Sequence, residues 1–144
     1  MFKRLYSGLT EGQRQFIKFS FVGGIGFLVD AGTFYLLIRF TPLGLVSGRV
    51  VSSLVFGMSA TYTLNRYLTF RDRRSSAVLS EYLRFASANI VGNLLNIGTH
   101  SLLVETLPLF HAHPILGIVA GTAVGLVFNF TLSKYFVFRA AKPG

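Results

Sequence analysis

Apolar residues fall into four long runs, and most run ends carry Lys, Arg, Tyr or Phe. The first run, 16–38, is broken within its length by a single acid, Asp30; the others extend from about 43–47 to 70, from about 85 to 107 and from about 115 to 138. A helix rises about 1.5 Å per residue, so roughly 20 apolar residues cross a hydrocarbon core of about 30 Å, and each run has that length. Between the first two runs, Arg39, Thr41, Pro42 and Gly44 are too polar and too broken to continue a helix. The pattern predicts an all-α membrane protein of four transmembrane helices.

The runs are also written twice. Gln15 to Leu37 aligns without gaps with Glu81 to Leu103, so that Phe19 meets Phe85, Gly26 meets Gly92, Leu28 meets Leu94 and Gly32–Thr33 meets Gly98–Thr99. Thr61 to Arg71 aligns in the same way with Asn129 to Arg139, bringing Thr63, Leu64, Tyr67, Phe70 and Arg71 onto Thr131, Leu132, Tyr135, Phe138 and Arg139. The expected organisation is a single membrane domain: a basic amphipathic segment on the headgroups at 1–16, a two-helix repeat at 17–71, a basic cytoplasmic loop at 72–84, a second two-helix repeat at 85–139 and a tail at 140–144. Because each copy crosses twice, the two repeats are expected to be parallel, related by an axis along the membrane normal.

Charge orients this arrangement. Lys3, Arg4, Arg14 and Lys18 precede the first run, Arg71, Arg73, Arg74 and Arg84 fill the middle loop, and Arg139 and Lys142 follow the last run, whereas the other two connections have Arg39 and Arg49 at most. The positive-inside rule then puts both termini in the cytoplasm. Of 144 residues, 51% are hydrophobic and 13% charged, too apolar for a soluble domain of this size. The 14 Lys and Arg against 5 acids sit at the ends of apolar runs, which speaks for membrane lipids and against nucleic acid. With no Cys, thiolate chemistry and sulfur-bound metals drop out. The first run is too long for a cleavable signal peptide.

Several residues stand out against the apolar background. An acid at the depth of Asp30 costs roughly 2.5 to 3.5 kcal/mol on insertion scales, so it needs a partner, and Arg49 on the returning helix is the expected one, with Arg39 as the alternative. Such a pair either permits insertion or forms a site, Arg49 then holding a phosphate that Asp30 competes with. Asn89, Asn93, Asn96 and His100 share a helix face that should avoid lipid, either as glue between helices or as a substrate pathway; Thr122, Asn129 and Ser133 fall on a neighbouring face. Asn65 and Arg66 in the first copy and Ser133 and Lys134 in the second form similar basic rims suited to a phosphate, bordered by Arg71, Arg84 and Arg139. Gly117, Gly121 and Gly125 make a doubled GxxxG, expected to pack helices closely. His111 and His113 lack a third ligand for a metal. No nucleophile with a base and no carboxylate pair is visible, so neither catalytic residues nor a cofactor are expected.

Phe21–Gly24 followed by Asp30, Asn65–Arg66 ending in Thr69–Phe70–Arg71, Tyr82–Phe85, and Asn129–Phe130 through Lys134 to Val137–Phe138–Arg139 together resemble the GtrA-like family. That resemblance implies a small protein of the bacterial inner membrane that flips a polyprenyl-phosphate-linked sugar, such as undecaprenyl-phosphate glucose, for cell-surface polysaccharide. On this reading Arg66 and Lys134 capture the phosphate, the Asn stripe meets the sugar, and a homo-oligomer completes the path. Two other readings stand beside it: a membrane anchor for a glycosyltransferase, and a small proton-coupled exporter with Asp30 as the titrating group.

Overall fold

The structure, a computed structural model, describes residues 8–139 and, among them, every side chain except those of Val46 and Arg49. The described residues are helical, with no strand, and the chain divides into two compact units, Met1–Arg74 and Ser75–Gly144. In the first, α1 (Glu11–Phe40) is followed by a rod of α2 (Leu45–Val51), a π-helical segment Ser52–Gly57, α3 (Met58–Leu64) and a second π-helical segment Asn65–Thr69. The junctions keep right-handed helical angles, so these pieces form one continuous element. A 3-10 turn, Arg71–Arg73, closes the unit. In the second, α4 (Val78–Thr106) and a short α5 (Pro108–Ala112) precede α6 (Pro114–Leu132), which runs into the π-helical segment Ser133–Val137.

Local chemistry fixes the ends. Thr10 caps α1 reciprocally with Gln13: the Gln13 N–H donates to Thr10 Oγ1 at 3.3 Å and the Thr10 N–H to Gln13 Oε1 at 2.8 Å. Pro108 and Pro114 open α5 and α6, where the missing N–H has no helical partner to lose. Three boundaries differ from the sequence expectation. α1 starts at Glu11, so residues 11–16 belong to the first long helix, while residues 1–7 and the tail from 140 lie outside the described residues. α4 starts at Val78 and takes in the end of the expected loop, because nothing in 78–84 breaks a helix. The connection 108–114 is not a bare loop, since its two prolines each start a helix.

Two helices are long and apolar enough to cross a membrane, Glu11–Phe40 and Pro114–Val137. Only 17% of the most apolar window of each is buried within the protein, so neither is the core helix of a soluble domain. What is buried forms a narrow seam. On α1 it is Gln15, Phe19, Val22, Gly26 and Asp30; on α4 it is Glu81, Phe85, Ala88 and Gly92, the residues aligned with the first four. Each seam meets the second helix of its own unit. A Cβ at Gly26 would run into Thr61, and one at Gly92 into the Asn129 side chain, the aligned residue. At the basic end of each unit a phenylalanine pair closes the seam, Phe19–Phe70 and Phe85–Phe138, both with ring centroids 6.3 Å apart.

The glycines of α6 serve this approach. A Cβ at Gly125 would lie 2.9 Å from the Gly92 carbonyl oxygen, one at Gly117 2.8 Å from His100 Nδ1, and one at Gly121 would collide with the Asn96 carbonyl, which as backbone cannot move aside. Gly121→Ala should therefore lower stability by about 1–3 kcal/mol through overpacking. Gly98→Ala, with open space around it, should be neutral or stabilise by up to about 1 kcal/mol. Thermal unfolding of the two variants in detergent checks the contrast; equal midpoints would show that the α4–α6 approach is looser than described.

Candidate functional site

Asp30 is a buried polar group of α1, 8% exposed, and the hydroxyl of the fully buried Ser52 donates to its Oδ1 at 2.8 Å. Ser52 starts a π-helical segment whose last residue, Gly57, faces the same carboxyl-bearing turn: a Cβ there would lie 2.9 Å from Asp30 Cβ. The extra residue in a π turn shifts the register of the side chains that follow, and such turns recur at functional sites. Here one segment supplies both the hydroxyl and the gap that admit the carboxyl. Arg49, the expected partner of Asp30, lies on α2 one turn before Ser52, but its side chain is outside the described ones.

The second π-helical segment forms the basic end of the unit. Asn65 is fully buried and accepts a 2.9 Å hydrogen bond from Thr69 Oγ1, while its own Nδ2 has no hydrogen-bond partner. Arg66, expected on an open rim, is 8% exposed, with Nη1 3.5 Å from the Tyr62 hydroxyl and its guanidinium 5.9 Å from the Tyr67 ring. It lies on the π-helical segment with Asn65 and Thr69, which are buried too. Arg71 is exposed.

At the same end of the second unit, Ser133 is fully buried with no partner for its hydroxyl, and Lys134 is half-buried, its ammonium 5.7 Å from the Phe130 ring and 5.5 Å from the Tyr135 ring. Such placements over ring faces hold a cation in partly apolar surroundings. Arg84 donates to Ser80 Oγ at 2.9 Å, and the exposed Arg139 donates to the Tyr135 carbonyl at 3.3 Å.

The Asn stripe divides. Asn89 returns its amide to the Phe85 carbonyl of its own helix at 2.9 Å, and Asn96 and His100 lie against Gly121 and Gly117. Asn93 is exposed, one residue or about 100° around the helix from the buried Gly92, which corrects the expectation that all four turn inward. Thr122 is exposed too. Asn129 is half-buried over Gly92, and its Oδ1 has no partner. Gly117, Gly121 and Gly125 pack within their own hairpin. Ser52, Gly57, Tyr62 and the fully buried Glu81, which accepts from the Ser75 N–H at 2.7 Å, were not singled out from sequence. Glu81 was visible as the aligned partner of Gln15 on the seam, but no sequence signal marked the π turns.

Long apolar helices that pack as hairpins and keep polar side chains in a narrow seam define an integral membrane protein. A family model described as the GtrA/DPMS transmembrane domain matches residues 18–143, and the chain belongs to that family. A comparison with curated proteins finds no match.

The hydrogen bond at Asp30 generates a test. Ser52→Ala removes a buried donor to a carboxyl and should cost about 1–3 kcal/mol, whereas Ser53→Ala, at a half-buried neighbouring position, should cost less than about 0.5 kcal/mol. Thermal unfolding in detergent measures both, and equal effects would remove Ser52 from the site.

Proposed function

We propose that the protein is a translocase that carries a polyprenyl-phosphate-linked monosaccharide across the bacterial cytoplasmic membrane for surface polysaccharide assembly. Family membership over residues 18–143 supports the substrate class. The observation that carries the reading is the polar content of the first hairpin: Asn65, Arg66 and Thr69 buried at its basic end and Asp30 with Ser52 buried deeper, in helices whose outer surface is apolar. A hairpin that only anchored a partner would need none of these groups, and each is costly to hold in a hydrocarbon setting.

In this account α1, the rod 45–69, α4 and α6 all cross, each hairpin entering and leaving from the cytoplasmic side, where both termini lie. Arg66 and Lys134, held against aromatic rings, attract the phosphate. Hydroxyl-rich headgroups exchange hydrogen bonds with the amides of Asn93 and Asn129, and the polyprenyl tail stays in lipid. A homo-oligomer shields the exposed Asn93 from hydrocarbon. The role is transport, with no bond made or broken in the substrate.

Liposomes containing the purified protein should move a fluorescent polyprenyl-phosphate sugar between leaflets faster than protein-free liposomes, with a neutral lipid unaffected. Arg66→Ala should slow that movement by about tenfold or more, as expected for removing a charge-assisted contact. Equal rates with and without protein would sink the proposal.

A further inference from the structure

The first unit has an open polar groove of about 660 Å³ at its basic end, between the first turns of α1 and residues 67–72. Arg14, Lys18 and Arg71 line it together with Gln15, Tyr67 and Thr69, against two acids, Glu11 and Asp72. Each acid has a cation within reach that offsets its charge. Glu11 Oε1 accepts from Gln15 Nε2 at 2.7 Å and faces Arg73 Nη2 at 3.6 Å, while the Asp72 side chain is 93% exposed and lies 3.8 Å from Arg71. Arg14 Nε donates to the Leu9 carbonyl at 3.0 Å, Lys18 Nζ sits 3.5 Å from the Leu68 carbonyl, and Arg71 is exposed. Arg74 adds a further positive group, 5.1 Å from the Tyr67 ring. Gln15 is buried, 8% exposed, with its amide nitrogen committed to Glu11 and its Oε1 without a hydrogen-bond partner.

The second unit repeats this chemistry only in part, with Arg84 and Arg139 in the places of Lys18 and Arg71. Where the first has Glu11, Arg14, Gln15 and Lys18, the second has Ala77, Ser80, Glu81 and Arg84, and Thr69 is replaced by Val137. Arg84 is engaged by Ser80, and Glu81 brings a buried carboxyl to the position of Gln15.

We propose that the groove of the first unit is an entry site where a phosphate docks before it reaches Arg66, with Lys18 and Arg71 as the closing cations, Arg14 as the fixed one, and Gln15 Oε1 as the acceptor for a hydroxyl next to the phosphate. The ligand class is a phosphate ester bearing a hydroxylated headgroup, and the proposal rests on the translocase reading, to which it adds an asymmetric point of entry. Binding through exposed cations falls with ionic strength, since a Debye length of about 8 Å at physiological salt screens them.

Protein in nanodiscs of zwitterionic phosphatidylcholine, titrated with fluorescent polyprenyl phosphate and separately with inorganic phosphate, tests it. Binding of polyprenyl phosphate alone identifies a lipid-borne ligand; binding of both probes identifies a site that reads the phosphate group by itself, and either supports the site. Lys18→Gln combined with Arg71→Gln should weaken binding about tenfold, and Lys18→Arg with Arg71→Lys should retain it. Arg84→Gln with Arg139→Gln should weaken it no more than about threefold. A parent protein that binds but is insensitive to the first pair, or loses as much from the second, overturns the site and leaves the translocase reading standing. A parent that binds neither probe overturns both.

Discussion

The close approach of two helices within each unit is the constraint on which the other features depend. Membrane helices gain little from hiding apolar side chains from one another, because lipid is equally apolar, so contact must come from packing of small residues and from polar groups that find partners. In the first unit Gly26 and Gly57 create that contact, and in the second Gly92, Gly117, Gly121 and Gly125 do. The same closeness makes polar seams possible. Asp30 reaches Ser52 because Gly57 leaves room, and Asn96 lies against Gly121 and Gly125 in the aligned place. One scaffold therefore carries an acid in one unit and an amide in the other at matching positions, which separates the chemistry of the residue from the demands of the fold.

The π-helical turns are the second device. All three lie on the second helix of a unit, at Ser52–Gly57, Asn65–Thr69 and Ser133–Val137, and every one includes a fully buried polar residue. A π turn costs hydrogen-bond quality and is retained where the shifted register places a side chain that a regular helix would not. Arg66 shows the consequence. At the end of an apolar helix a guanidinium normally snorkels to water, yet here it lies inward beside Tyr62 and Tyr67. The polar end of the first unit is thus a built feature of the backbone in addition to a charge that orients the chain.

Much of this was legible in the sequence. The long apolar runs, the break at Pro42 and Gly44 and the alignment of Gly26 with Gly92 follow from hydropathy and spacing alone, and the seam residues Gln15, Phe19, Val22, Gly26 and Asp30 keep one helical face. The GxxxG pattern named the packing glycines, though not which helix they meet. What escaped was register. A stripe of Asn at helical spacing shares a face, but sequence does not say whether that face coincides with the seam, and Asn93 lies about 100° beyond it. Arg66 and Ser52, the partner of Asp30, lie on π-helical segments, which have no sequence signature comparable to a cap or a proline. Helix starts at Glu11 and Val78 were misplaced because hydropathy marks where lipid begins, not where helical hydrogen bonding does.

The functional account stands on both helices of each unit crossing the membrane. α1 and α6 have the length and apolarity for it on their own, whereas α4 carries the Asn stripe and the rod 45–69 carries Asn65 and Arg66. Because the chain has no Cys, single cysteines report sidedness without background. Membrane-impermeant thiol labelling of Thr41→Cys, Ser76→Cys and His113→Cys, in intact cells and in inverted vesicles, is the most direct measurement. Four crossings place residue 76 on the cytoplasmic side and residues 41 and 113 outside, so only the Ser76→Cys variant should react in inverted vesicles alone. Labelling of all three variants from the outside of intact cells would reduce the chain to two crossings and contradict the account.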